Sequence, residues 1–460
     1  MEMLAKNRYF SPFSPLTKRV FPSTDEMSWR NWCRAFDQYS YSVNSRVSAF
    51  TDTPAKTVSS PIGTNFSSYK DLISVKSLKS RFGTESVVVI PENSAAIVNA
   101  MEALGIYTLG KVRTTEFGFG DNANDCVNPL FSEFTPAGSS NGSAAAVACG
   151  ISDISFGTDA GGSIRFPASN CGVVGLMFSS SEKLKQGIVP VSSTLERVGA
   201  ITRSIDDIIY LWNRYELSNS FPQHSEQLEK IALAAPTLPQ PVDEEIFQTY
   251  EEYILRLRAA GVHVERVDLQ GWSQRQLGWK IMAYEISQLF NNLESCLPIG
   301  RLLPSTKFTL DNAKHISSDE YQEACAGRKF LCKEINDLLI QGQFSGILLP
   351  IDPNPVRRVR VPPTQQTIPL HASANGPDYL TYTIIANLCN LTAVSYPIRV
   401  SSDGFPIGVQ IFAREQCEVA LLKTAKFLEE LLPNWIEPGE LDARRKIFND
   451  AASYAEQSII

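Results

Sequence analysis

Histidine is nearly missing from this chain, with four in 460 residues, at positions 224, 263, 315 and 371. None has a second ligand at the spacing that zinc or iron sites use, so no metal site is expected. A serine hydrolase built on histidine is also hard to assemble from so few. The nine cysteines are an odd number, widely scattered, and contain no Cys-x-x-Cys. That pattern excludes a disulfide framework and reads as buried thiols in a reducing compartment. No apolar run reaches the ~18 residues that a membrane span needs. The opening "MEMLAKNRYFSPFSP" lacks the apolar centre of a secretory signal. A cytoplasmic location is therefore expected. Basic charge is short as well: 42 Lys and Arg against 49 Asp and Glu, a net charge of −7. Phosphate backbones need clustered cations, so no nucleic-acid partner is expected. Repeats and low-complexity tracts are lacking.

What remains is an ordinary globular composition, 43% apolar and 20% charged. Residues 1–64 are rich in Ser, Pro and aromatics and read as an N-terminal arm, with a helix around "MSWRNWCRAFDQYS". From residue 65 to 460 the pattern alternates between strand and helix. "ESVVVIP" is a buried-strand candidate. "ENSAAIVNAMEALG" is a helix capped at Asn93 or Ser94 and stopped at Gly105, and "IYTLG" is a strand. "KIALAA", a helix over 242–260 and "VHVERVDL" repeat the pattern. Alternation of this kind predicts an α/β fold: a mixed, mostly parallel twisted sheet with helices on both faces. Residues 215–345 have fewer glycine loops and read as a variable segment that shapes a pocket.

Two loops carry the chemistry. "TPAGSSNGSAAAVACG" spans Thr135 to Gly150, with Ser143 as the expected cap of a short helix of small residues, Ala144 to Cys149. "ISDISFGT" then reads as a strand that delivers "GTDAGGSIRFPAS", Gly157 to Ser169. One helix and one strand between them can bring both loops to one edge of a sheet, where ligands of open α/β folds sit. A nucleophilic serine needs a proton acceptor, and donors for the oxyanion formed when a carbonyl is attacked. The backbone N–H groups of Ala160, Gly161 and Gly162 suit the donors, with Ser163 as attacker. The same residues also suit a plain capped turn. "GSSNG" matches the Gly-x-Ser-x-Gly elbow of α/β-hydrolases, but Pro136 stands where that elbow needs a strand. Asp159, Arg165 and Thr158 read as loop supports.

At several separated places the chain resembles the amidase signature family. "GKVRTTEFGFG", "AGSSNGSAAAVACG" and "FGTDAGGSIRFPASNCGVVGL" are similar to its central signature. "GILLPIDP", "ANLCNLTAVSYP" and "DGFPIGVQIFA" are similar to its closing motifs. The likeness covers about residues 65–430. It implies the amidase signature fold and a triad of lysine, cis-bonded serine and nucleophilic serine, without cofactor or metal. By position Ser163 matches the nucleophile and Ser139 the cis serine. The family's lysine ends an apolar strand and precedes an aspartate. Here Lys76 follows Leu72, Ile73 and Val75, with Ser77 at the aspartate's place and Gly83 beyond; Lys79 is its rival. A buried lysine loses its charge and becomes a base, so proton transfer through serines replaces histidine. The sequence departs from the family at Met177, Phe178, Ser179 and Asn141. The implied activity is hydrolysis of a carboxamide through a serine acyl-enzyme. The other readings are part of an amidotransferase, an acyltransferase or esterase, and a catalytically impaired relative. The expected partner is a small-molecule amide, and a homodimer is left open.

Overall fold

The computed structural model describes residues 26–57, 60–61, 64–120, 126–214, 231–239, 241–269, 274–296, 299–300, 302–354 and 379–431. Among the described residues ten strands form one sheet: β1 Phe66–Lys70, β2 Tyr107–Val112, β3 Ile154–Asp159, β4 Val174–Met177, β5 Arg197–Thr202, β6 Ala232–Pro236, β7 His263–Val267, β8 Gly346–Pro350, β9 Thr392–Val400 and β10 Pro406–Ala413. Their order across the sheet is β2-β1-β3-β5-β4-β9-β10-β8-β6-β7. Pairing is parallel at both ends, β1 with β2 and β3, and β6 with β7 and β8. The five pairings between β3 and β8 through the centre are antiparallel. The α/β sheet is thus mixed, as expected, with a smaller parallel share than the strand–helix alternation implied. The reason is that β4, β5, β9 and β10 fall outside that alternation and enter the sheet antiparallel.

The described helices are α1 Glu26–Val47, α2 Ala96–Ala103, α3 Asn141–Ala148, α4 Arg165–Asn170, α5 Glu182–Lys185, α6 Ile205–Arg214, α7 Glu244–Ala259, α8 Gln274–Cys296, α9 Pro304–Ala313, α10 Ser318–Gln341, α11 Tyr379–Leu388 and α12 Glu418–Leu431. α7 starts where the sequence puts it: the Asp243 carboxylate caps the Glu245 and Ile246 N–H groups. α1 is longer than expected and lies on the β1 end of the sheet. Trp29, Trp32, Phe36 and Tyr39 are buried there against Phe66, Leu109, Ala145 and Cys149. Small side chains let α3 fit beneath it, and Asn141 to Val147 are all buried. Ser143 is not its cap; it sits inside the helix and donates toward the Phe156 carbonyl at 3.5 Å.

"ESVVVIP" does not form a strand. Val88 and Ile90 are exposed, and only an isolated bridge joins Val89 to Ser80. The strand of this region lies earlier, in "FSSYK". Its serines are buried, and Ser68 Oγ bonds Ser155 Oγ on β3 at 2.8 Å. Polar residues are tolerated in such a strand because their hydroxyls find partners across the sheet. The portion of the variable segment over 215–230 lies outside the described residues. α8, α9 and α10 fill much of the rest. Among the described residues no helix is long and apolar enough to cross a membrane.

Candidate active site

β1 and β3 are parallel neighbours, with Tyr69 opposite Phe156. Their carboxyl ends therefore emerge side by side, Lys70 from β1 and Thr158–Asp159 from β3. Lys70 is 0% exposed. Its Nζ lies 2.7 Å from Ser139 Oγ, 2.8 Å from Thr158 Oγ1 and 3.3 Å from the Thr158 carbonyl oxygen. Burial pushes the amine down to about 8, while the carboxylates of Glu196 and Asp159 pull it back up. At that value about a tenth of the lysine is neutral at pH 7, against well under a thousandth for an ordinary lysine.

The expectation for Lys76 is corrected by this arrangement. Lys76 is exposed to solvent, as is Lys79. Leu72, Ile73 and Val75 are buried, but in an irregular segment beyond the strand. The Lys76 backbone N–H is fixed by Ser94 Oγ at 2.9 Å while its side chain points outward. The lysine beside Ser139 is Lys70, and it is followed by an aspartate. Asp71 Oδ1 lies 2.9 Å from the buried Lys111 Nζ. Asp71 Oδ2 accepts from the Arg81 N–H at 3.0 Å. The aspartate thus ties the end of β1 to β2 and to the following loop.

The Gly138–Ser139 peptide bond is cis. Ser140, next in the chain, donates its N–H to the Ser163 carbonyl at 3.1 Å and its hydroxyl to the Thr158 carbonyl at 3.2 Å. These bonds join the two serine loops at the end of β3. Ser163 is half-buried.

Asp159 organises the second loop. Its Oδ1 accepts from the Gly162 N–H at 2.6 Å and its Oδ2 from the Ile164 N–H at 3.2 Å. Arg165 grips the same carboxylate with both Nη2, at 3.0 Å, and Nε, at 3.1 Å. Burial raises the carboxyl, but Arg165 and the loop N–H groups outweigh it, and Asp159 stays below the usual range. Arg165 also donates to the Thr383 carbonyl, Gln410 Oε1 and Asn387 Oδ1. Asn387 returns its amide to the Asp159 carbonyl at 2.7 Å. The pair is a brace that holds the loop to α11 and β10.

That brace changes the expected oxyanion cradle. The Gly162 N–H is already bonded to Asp159, so it is not a free donor. No described residue accepts from the N–H groups of Ala160 or Gly161. The glycines are required sterically. Gly162 has φ +121°, and a Cβ there would meet Thr383 Oγ1 at 2.6 Å. A Cβ on Gly161 would meet Leu380 Cδ2 at 2.7 Å.

Sequence reasoning misses Lys70, Asn387 and Gln410. The Lys-Asp pair at 70–71 is the available signal for the first. The other two stand in closing motifs more than 200 residues from the loop they brace. Among the described residues no group of three or more His, Cys, Asp or Glu side chains could hold a metal.

The chain is similar to known proteins. The family model described as Amidase matches residues 67–422. A glutamyl-tRNA(Gln) amidotransferase subunit from Koribacter versatilis (strain Ellin345) is 27% identical over 412 residues, 79% of this chain and 83% of that protein. The same subunit from Thermotoga maritima is 26% identical over 386 residues, 74% of this chain and 78% of its own. Among solved structures, a 6-aminohexanoate cyclic dimer hydrolase superposes with a TM-score of 0.74 at 22% identity, covering 88% of this chain and 94% of that one. The structure of the Thermotoga maritima amidotransferase subunit gives 0.69 at 22% identity, over 91% and 95%. At these identities the structural likeness shows a shared fold.

Proposed function

The chain belongs to the amidase signature family, and from that premise we propose that it hydrolyses the carboxamide of a small molecule through an acyl-enzyme on Ser163. The observation that carries this reading is the buried Lys70 amine, 2.7 Å from Ser139 Oγ at the junction of the two serine loops. Neutral Lys70 takes the Ser139 proton as Ser139 takes that of Ser163, and the Ser163 oxygen bonds to the substrate carbonyl carbon. The N–H groups of Ala160 and Gly161 donate to the oxyanion, while Gly162 stays with Asp159. The protons then run back to the leaving amine, the C–N bond breaks, and water releases the acyl group by the same relay.

A second reading is favoured by the relatives. Those from Koribacter versatilis and Thermotoga maritima carry an amidotransferase name, so transfer of the amide nitrogen or the acyl group to another acceptor uses the same intermediate. A panel of aryl, alkyl and amino-acid amides, with released ammonia or amine measured, tests the first reading. Turnover by the chain alone, lost in Ser163→Ala, is expected. Turnover only when an acceptor or partner protein is added would assign the chain to transfer. No turnover with either would count against both.

A further inference from the structure

One buried acid near the relay takes no part in the proton transfers from Ser163 to Lys70. Glu196 is 1% exposed and directly precedes β5, the strand beside β3. Its Oε2 accepts from the Val191 N–H at 2.6 Å. Its Oε1 makes no hydrogen bond among the described residues, and the carboxylate lies in the neighbourhood of the Thr158 hydroxyl, since β3 and β5 pair with Asp159 opposite Arg197. That hydroxyl oxygen is the acceptor for Lys70 Nζ at 2.8 Å. Thr158 can therefore accept from the lysine and turn its own hydrogen toward the carboxylate. The order in space is Glu196, Thr158, Lys70, Ser139.

We propose that Glu196 is a positioning residue for Lys70, its carboxylate acting through Thr158 to set how tightly the amine holds a proton. The proposal rests on the reading of Lys70 as the base. A buried carboxylate left with a bare oxygen is costly unless a cation compensates it. The other charges nearby are engaged elsewhere. Asp159 is gripped by Arg165, and Asp71, next to Lys70, is paired with Lys111. Arg197, next to Glu196, donates to the carbonyls of Thr194, Glu196 and Asn387 and to the side chain of Asn390. Glu196 and Asp159 are the two carboxylates that raise the lysine against its burial. In turn Lys70 is the largest influence drawing Glu196 down against its own burial, which leaves that acid above the usual range.

The consequence is a trade. The fixed negative charge keeps more of Lys70 protonated at rest, but it makes the neutral amine a stronger base and stabilises the ammonium formed when Ser163 attacks. Removing the charge must therefore move the pH limb and the plateau of reactivity in the same direction, downward.

The test is the rate of Ser163 phosphonylation by a fluorophosphonate between pH 6 and 10, with intact mass as readout. In that reaction the Ser163 oxygen bonds to phosphorus, fluoride leaves, and the proton passes through Ser139 to Lys70. Wild type is expected to show a limb near pH 8. Glu196→Gln retains an acceptor for the Val191 N–H, so it removes charge and little else. It is expected to move the limb down by about one pH unit, which raises the neutral fraction at pH 7 from about a tenth to about a half, and to lower the plateau several-fold. Glu196→Asp, which withdraws the charge by one methylene, falls between the two. It carries the test if Glu196→Gln does not fold. A lower plateau with the limb unmoved in both variants would overturn the proposal and leave Glu196 a structural support. A wild type without the limb would instead overturn Lys70 as the base.

Discussion

Replacing Lys70 by methionine keeps most of its length and removes its charge. The fully buried lysine sits at about 8 against an ordinary 10.5. The folded value is the lower one, so between those pH values the unfolded chain binds more protons and stability rises with pH. At pH 9 the difference is about 0.9 proton, a slope of about 1.2 kcal/mol per pH unit. Between pH 7 and pH 10 the wild type gains about 2.5 kcal/mol from this one group. Lys70→Met loses that gain, whatever the lost bonds to Ser139 and Thr158 cost at each pH. Urea unfolding followed by the fluorescence of the buried Trp29, Trp32 and Trp212, repeated across the range, measures it. Other titrating groups cancel when the two slopes are compared. Equal slopes in wild type and Lys70→Met would refute the reasoning.

Gly162→Ala places a Cβ against Thr383 at a φ that alanine avoids; acylation is expected to fall about 10²-fold, measured as labelling rate. Asp159→Asn strips the Arg165 guanidinium of its buried partner, and an unfolding free energy lower by about 3–5 kcal/mol is expected in denaturant titration. Trp29→Ala opens a cavity beneath α1, where Trp29 is 1% exposed and donates to the Ser60 carbonyl. A loss of about 3–5 kcal/mol is expected by the same titration.

The two serine loops are legible in the sequence because their residue types answer to local demands. Gly161 and Gly162 have no room for a side chain, and Ser139 and Ser163 flank one short helix–strand unit. The lysine is misplaced by sequence for a physical reason. "LISV" is apolar and buried, which is the usual mark of a strand, yet it lies in the irregular segment after β1. The strand itself reads as polar because Ser68 is satisfied by Ser152 and Ser155, both at 2.8 Å. Pattern alone does not reveal partners so far along the chain. The Gly162 N–H reads as free in the sequence because Asp159 reads only as a general support, and its bond to that particular donor depends on packing. The brace from Asn387 and Gln410 depends on β9, β10 and α11 folding over the loop, which no local spacing encodes. Part of the antiparallel centre has the same cause: β9 reaches β4 from more than 200 residues away, and β10 pairs with β9.

Lys70, through Ser139, activates Ser163 in the proposed reaction, and every other assignment depends on that step. Peptide mapping after fluorophosphonate treatment of wild type, Lys70→Ala, Lys76→Ala and Ser163→Ala tests it most directly. The expected result is one adduct, on Ser163, kept in Lys76→Ala and lost in Lys70→Ala and Ser163→Ala. An adduct on another residue, or full labelling of Lys70→Ala, would contradict it.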